Sequence, residues 1–326
     1  MLLRHALILL FLAACDTPTP APPVTQTPTT AGRDKSAGCT KDDECPTGLT
    51  CGAAGRCRAD FVDLGDGKRI TGHWDFEAPM GTTGEALSAT VGADLTLFGD
   101  DSYLAVTKAL ADVDGKTLSG LTYSKPTLKT QALVVRHGLS VNGGGPKVNQ
   151  YTLIFDMYYP LDQSESFRAL YQTNPTNADD ADLFLNNTGG IGVTGDYTGV
   201  VKRGIWTRVV FVVDLVVDYS STPYASELAN QGTGVRYIDG VPTPILQEYR
   251  IAAAYLPKGF IPLEEGPTGR WAIEPGTAGD GTLLIFCDDS KEVGTGTVAG
   301  FQIRNYAMSA TEVQALGAAG FQIPLE

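Results

Sequence analysis

Two stretches of this chain alternate in hydropathy with a period of two. In "YTLIFDMYY", Tyr151, Leu153, Phe155, Met157 and Tyr159 share one face, and Thr152, Ile154, Asp156 and Tyr158 share the other. In "TRVVFVVDLVVDY" one face is Val209, Phe211, Val213, Leu215 and Val217. The opposite face mixes Arg208, Asp214 and Asp218 with Val210, Val212 and Val216. That period places successive side chains on opposite sides of a strand, so both segments read as strands with one wholly buried face. "LLIFC" and "TVAGFQIRNY" read as two more strands, and Asp239-Gly240 in "YIDGVP" predicts a tight turn. Only one helix is well signalled. In "SATEVQALG", Ser309 and Glu312 make a capping box, and Gly317 stands where a left-handed C-terminal residue belongs. "SSTPYASELANQG" reads as an insertion between strands. Many strands, 38 glycines and almost no helix predict an all-β fold, an antiparallel β-sandwich with a short C-terminal helix.

One motif points elsewhere. Gly190-Ile191-Gly192-Val193-Thr194-Gly195 spells the G-x-G-x-x-G dinucleotide fingerprint, with Asp214 about twenty residues on. That site needs a helix opening at its third glycine, to hold pyrophosphate at the helix N-terminus. The chain continues instead with "DYTGVVKRGIWTRVV", where Gly199, Gly204 and β-branched residues oppose a helix. The glycines are read as turn and bulge positions between strands, and NAD binding is rejected.

The N-terminus carries Arg4 and His5 and then an apolar run from Ala6 to Ala14. The run is shorter than the about 20 residues that span a bilayer and suits a secretory signal peptide. It ends Leu12-Ala13-Ala14-Cys15, which resembles the bacterial lipobox and implies lipidation of Cys15. An ordinary signal peptide with a chance cysteine is the rival. "DTPTPAPPVTQTPTTAG" then reads as an extended tether. Asp16 does not assign the membrane or the leaflet. The expected organisation is signal peptide 1–14, lipidated cysteine and linker 15–37, a small Cys-rich module 38–60 and the sandwich 61–326. An exported protein of net charge −13 is repelled by nucleic acid and by anionic lipid, and nucleic acid is excluded as a partner.

Cys39, Cys45, Cys51 and Cys57 are spaced evenly by six. In an exported chain they read as two disulfides stapling a segment too small for its own core. Zinc is the rival, but its sites favour closer pairs. The spacing leaves the connectivity open; alternating pairing, Cys39 with Cys51 and Cys45 with Cys57, is a guess. Asp42, Asp43 and Glu44 read as a solvated acidic turn. Cys287 reads as a buried thiol.

"HWDFEA", "YTLIFDMYYP", "GGIGVTGDYTGVVKRGIWTRVVFVVDL", "RYIDGVP" and "VAGFQIRNYAMSATEVQALG" together resemble laminin G-like domains of the concanavalin A-like lectin/glucanase superfamily. The resemblance covers roughly residues 70 to 320 and implies a jelly-roll sandwich. It implies no activity, because the fold hosts lectins, glucanases, lyases and spacers. "VVDYSSTPYASELANQGTGV" departs from the pattern.

Glucanases of that superfamily carry Glu-x-Asp-x-(x)-Glu on one strand, and no glutamate here has an aspartate two residues on. After the signal only His73 and His137 remain, without a nucleophile-elbow context. The chain is therefore read as non-catalytic; a hydrolase or lyase with an unrecognised acid pair is the alternative. Two acidic segments offer oxygen ligands for calcium (Ca2+). One holds Asn177, Asp179, Asp180 and Asp182, and the other Asp288, Asp289 and Glu292; solvated loops are the rival reading. Calcium is also common in the resembled family, at the rim where loops meet strand ends. Tyr158, Tyr171, Tyr197 and Trp271 are candidate sugar-stacking aromatics, while Trp74 and Trp206 are assigned to the core. Ser140 to Asn149 could rim such a site, with a plain connection the simpler reading. The expected protein is an exported lipoprotein, anchored in the inner or outer membrane, that recognises a glycan or an envelope protein.

Overall fold

The two alternating segments become adjacent strands of one sheet. The computed structural model describes residues 38–326 except 53–54, 77–81, 114–115, 144–146, 162–166, 179, 194–195, 215–232, 244–245, 248–272, 274–280 and 321–322. The expected signal peptide, Cys15 and the Pro/Thr tract thus lie outside the described residues, as does "SSTPYASELANQG". A two-stranded ribbon, β1 (Thr50–Cys51) and β2 (Cys57–Arg58), comes first. The larger sheet contains β3 (Val62–Gly65), β4 (Lys68–Trp74), β6 (Leu104–Val113), β7 (Lys116–Tyr123), β9 (Gln150–Tyr158), β14 (Trp206–Asp214), β15 (Thr233–Ile238), β16 (Val241–Pro242), β17 (Leu246–Gln247) and β19 (Gly296–Arg304). The smaller contains β5 (Thr96–Phe98), β8 (Ala132–Arg136), β10 (Phe167–Gln172), β11 (Leu183–Asn186), β12 (Ile191–Val193), β13 (Asp196–Thr198) and β18 (Thr282–Ile285). Their spatial orders are β16-β15-β14-β9-β19-β4-β3 and β13-β12-β11-β10-β18-β8-β5, with β7 pairing β19 and β6, and β17 pairing β15. The named pairings are antiparallel, and the chain passes repeatedly from one sheet to the other. It is an antiparallel β-sandwich with a short C-terminal helix and a disulfide-rich N-terminal segment.

The register follows the alternation. Trp206 lies opposite Tyr158, and Asp214 opposite Gln150. Tyr151, Leu153, Phe155, Met157, Val209, Phe211 and Val213 face the interior with Trp74 and Phe301, whose rings stack at 5.3 Å. The mixed face of β14 is also buried. Ile154, Val210 and Val212 pack under Met308, Val313 and Ile323 of the C-terminal segment, which accounts for valines interleaved with charges. Trp206 is buried on this outer face, with Ala299 and Ala319, whereas Trp74 lies between the sheets.

Within that layer Arg208 and Asp156 form a bidentate ion pair, both bonds 2.7 Å. Arg208 also donates to the Leu316 carbonyl at the end of the helix, and its backbone N–H donates to Asp239 Oδ1 at 2.8 Å. The helix, Ala310–Leu316, starts with the predicted capping box between Ser309 and Glu312. Gly317 has the positive φ expected of it, but its ψ of −156° lies outside the left-handed region. A second capping box, Thr82 with Glu85, starts a four-residue helix at Thr83–Ala86 that the periodicity does not signal.

Asp239 and Gly240, with φ of 50° and 79°, form the two-residue turn between Ile238 and Val241. Where the G-x-G-x-x-G motif begins, β12 pairs antiparallel with β13, Ile191 opposite Thr198 and Val193 opposite Asp196. A side chain at Gly192 would collide with the Asp196 carbonyl. That glycine serves close strand approach, not phosphate.

Disulfides join Cys39 to Cys51 and Cys45 to Cys57, so the alternating pairing is the one present. The module packs on the sandwich through Arg56–Glu85 at 3.1 Å and the Gly92 N–H bond to Ala59 O at 2.8 Å. Among the described residues no helix is long and apolar enough to cross a membrane.

Candidate functional site

The two acidic segments, far apart in sequence, meet beyond the ends of β10 and β18. Oxygens of Asp180, Asp288 and Asp289 lie within 4.8 Å of one another. After β18 the chain bends through Phe286 and Lys291, with φ of 53° and 62°, and this turns Asp288 inward. Its Oδ1 accepts the Ala181 N–H at 3.1 Å. Its Oδ2 accepts those of Ser290 at 2.8 Å and Glu292 at 3.2 Å. One buried carboxylate therefore clamps both loops, and Asp180 and Asp289 remain half-buried beside it. The Ser290 hydroxyl donates to Asp289 Oδ1 at 3.1 Å.

Burial raises the Asp288 pKa, against the pull of its three backbone N–H partners. Burial likewise raises that of Glu292, and the negative fields of Asp288, Asp180 and Asp289 add to the effect. Like charges this close favour protonation or a cation. Two other predicted ligands, Asp182 and Asn177, do not join the cluster. Asp182 is buried and accepts the Thr173 N–H at 2.5 Å. Asn177 accepts from Gln172 at 3.1 Å and donates to the Lys129 carbonyl. Both shape the loop. Asp179 lies outside the described residues.

A third segment, 125–131, joins these loops. Besides the Asn177 bond, its Thr127 carbonyl accepts from Lys291 Nζ at 3.1 Å. Gln131 Oε1 holds the segment by accepting the N–H groups of Thr127 at 2.8 Å and Leu128 at 3.0 Å. No spacing rule marks these residues; only Pro126 hints at a turn.

The aromatic candidates separate. Tyr171 is wholly buried, its hydroxyl 3.0 Å from that of Tyr151, so the expectation of a sugar contact is corrected: its ring fills the core. Tyr158 is half-buried, 5.7 Å from the Trp206 ring. Tyr197 is half-buried, 5.7 Å from Phe167. Trp271 lies outside the described residues. The 140–149 connection is pinned by Asn142, which donates to the Gln150 and Asn305 carbonyls at 2.6 and 3.0 Å.

Both histidines are interior. His137 Nδ1 accepts the Leu139 N–H at 2.9 Å, and burial lowers its pKa to about 4. His73 Nδ1 is 3.3 Å from Gln302 Nε2. Cys287 is a buried thiol whose pKa is pushed up to about 12 by burial, with Asp288 and Asp289 adding to it.

Fold and site together define an antiparallel β-sandwich with an acidic loop junction outside its strands. Solved structures similar to this chain include domain 4 of AbnA, a GH43 extracellular arabinanase from Geobacillus stearothermophilus, in complex with arabinotriose. It is 14% identical, with a TM-score of 0.41, over 76% of this chain and 98% of that one. The receptor binding domain of botulinum neurotoxin D is 12% identical at a TM-score of 0.42, over 76% of this chain and 51% of that one. Trypanosoma rangeli sialidase in complex with the inhibitor DANA is 12% identical at a TM-score of 0.40; the match covers 76% of this chain and 32% of that one. The match thus spans about half of the toxin domain and a third of the sialidase. Likeness at this level carries no residue, ligand or activity to this chain. No protein-family model and no curated protein matches it.

Proposed function

We propose that this chain is an exported, non-catalytic envelope lipoprotein, anchored through Cys15. Its laminin G-like sandwich recognises a glycan or a surface protein with the help of calcium. The observation that carries this reading is the convergence of Asp180, Asp288 and Asp289 from two distant loops. Calcium takes six to eight oxygens from flexible loops; Glu292, which lies in the field of all three carboxylates, adds a fourth. The disulfides suit an oxidising compartment. Tyr158 and Tyr197 are the half-buried aromatics retained as ligand contacts. Burial of both histidines supports a binding role over acid–base chemistry. Stable anchoring takes more than one acyl chain, which lipoprotein modification supplies.

The test is a glycan-array screen of the full chain in calcium and in chelator, paired with thermal unfolding in both buffers. Calcium at a hundred times its Kd stabilises the chain by ~2.7 kcal/mol, and this gain is lost in Asp180→Asn/Asp289→Asn, which spares the Asp288 clamp. An unchanged Tm in calcium sinks the metal, and silence on the array in both buffers sinks glycan recognition. Loss of lipid labelling in Cys15→Ser tests the anchor.

A further inference from the structure

Four exposed aliphatic side chains gather at one end of the larger sheet. Leu161, Val200, Ile205 and Val241 are 74, 57, 52 and 65% exposed. Leu161 follows β9 and Ile205 precedes β14, at the end where Tyr158 pairs with Trp206. The Gly204 N–H donates to the Tyr159 carbonyl at 2.7 Å, and the Leu161 side chain lies against Gly204. Leu161 and Ile205 are therefore neighbours. Gly199, where the same loop begins, abuts the side chains of Ile238 and Thr243, on the hairpin that carries Val241. Between Val200 and Ile205 stand Lys202, exposed, and Arg203, half-buried. Arg203 donates to the Asn187 carbonyl at 3.0 Å, which braces the loop. Single exposed aliphatics need no explanation. Four of them around two adjacent cations, in a chain of net charge −13, do.

We propose that this end of the sandwich is a membrane-docking surface for an anionic phospholipid bilayer. Leu161, Val200 and Ile205 enter the headgroup–acyl boundary, and Lys202 meets the lipid phosphates. Charge complementarity selects lipid over protein as the occupant: protein interfaces are depleted in lysine, whereas this loop sets the exposed Lys202 among aliphatics, as interfacial membrane segments do. Acidic groups more than about 8 Å away are largely screened at physiological salt, and Asp239, on the hairpin of Val241, accepts the Arg208 and Ala319 N–H groups. Asp162 and Glu165 follow Leu161 outside the described residues, so the cationic contribution is read from variants. The proposal rests on the anchored-lipoprotein reading only for the supply of a nearby bilayer. Residues 16–37 can extend by at most roughly 70 Å, and β9 is about 30 Å long, so the anchor leaves either end of the sandwich free to reach the surface.

The experiment uses the full chain with Cys15→Ser, which removes the anchor. Cys287 is buried and the other four cysteines are paired, so an environment-sensitive dye reports on one added cysteine: Leu161→Cys, Ile205→Cys or, as control, Val141→Cys. Val141 is 52% exposed and lies beside Asn142, which is bound to the Gln150 end of β9. With phosphatidylglycerol vesicles, dyes at 161 and 205 shift to the blue and are quenched by acyl-chain nitroxides, and the dye at 141 does neither. Lys202→Gln weakens vesicle affinity about fivefold. Dyes at 161 and 205 as wet as that at 141 would overturn the proposal. A blue shift without vesicles that grows with protein concentration would also overturn it and identify a second copy as the occupant. Neither result depends on whether Cys15 is lipidated.

Discussion

Arg208 serves three partners in a space closed to water: the Asp156 carboxylate, the Leu316 carbonyl and, through its backbone, Asp239. Removing one member of a buried pair strands the other charge, so Arg208→Met is expected to cost about 3–5 kcal/mol in denaturant unfolding. The double variant Asp156→Leu/Arg208→Met should recover a substantial part of that cost. An equal or larger loss in the double variant would mean that the hydrogen bonds to the helix end matter more than the charge pair. At this scale the sequence was partly legible. The period of two put Asp156 and Arg208 on outer faces, but it could not say that a later segment would cover them. Tyr171 shows the same limit: strand periodicity places it on a face, and only the partner sheet decides whether that face meets solvent.

Among elements, the C-terminal helix is the one most clearly written in the chain, because its capping box satisfies end N–H groups through residues close in sequence. Val313 and the following Ile323 then cover Ile154, Val210 and Val212. Ser309→Ala is expected to lower stability by about 1 kcal/mol, read as a reduced urea midpoint with an unchanged m-value. No change would show that packing alone holds the helix. The Asp239-Gly240 turn was equally legible, since a two-residue hairpin needs residues that accept positive φ. The Thr83–Ala86 helix was not, because four residues carry no periodicity.

For the whole molecule, the acidic junction depends on loops brought together by strand order, β10 beside β18. The residue types were legible, but their meeting was not. The interior also sets a pH response. His137 falls from an ordinary 6.5 to about 4 in the folded protein, so between those values the unfolded chain binds the proton that the native state refuses. Stability from this group is whole above pH 6.5 and declines as pH falls towards 4, by ~3 kcal/mol in all. Asp288 and Glu292, raised by burial, act in the opposite sense, so the comparison is between wild type and His137→Asn at each pH. The variant should flatten the slope of Tm between pH 6.5 and 4; an unaltered slope would exclude His137 as its source. The N-terminal disulfides, finally, have a mechanical consequence. Cys39–Cys51 and Cys45–Cys57 interlace, and the sandwich begins directly after them. Tension arriving through the residues before Gly38 is diverted across sulfur–sulfur bonds instead of peeling the ribbon apart. Force then reaches the sandwich domain at Arg56, Ala59 and β3, spread over several contacts, and the module behaves as a ferrule that keeps a pulled cord from fraying the body it is fixed to.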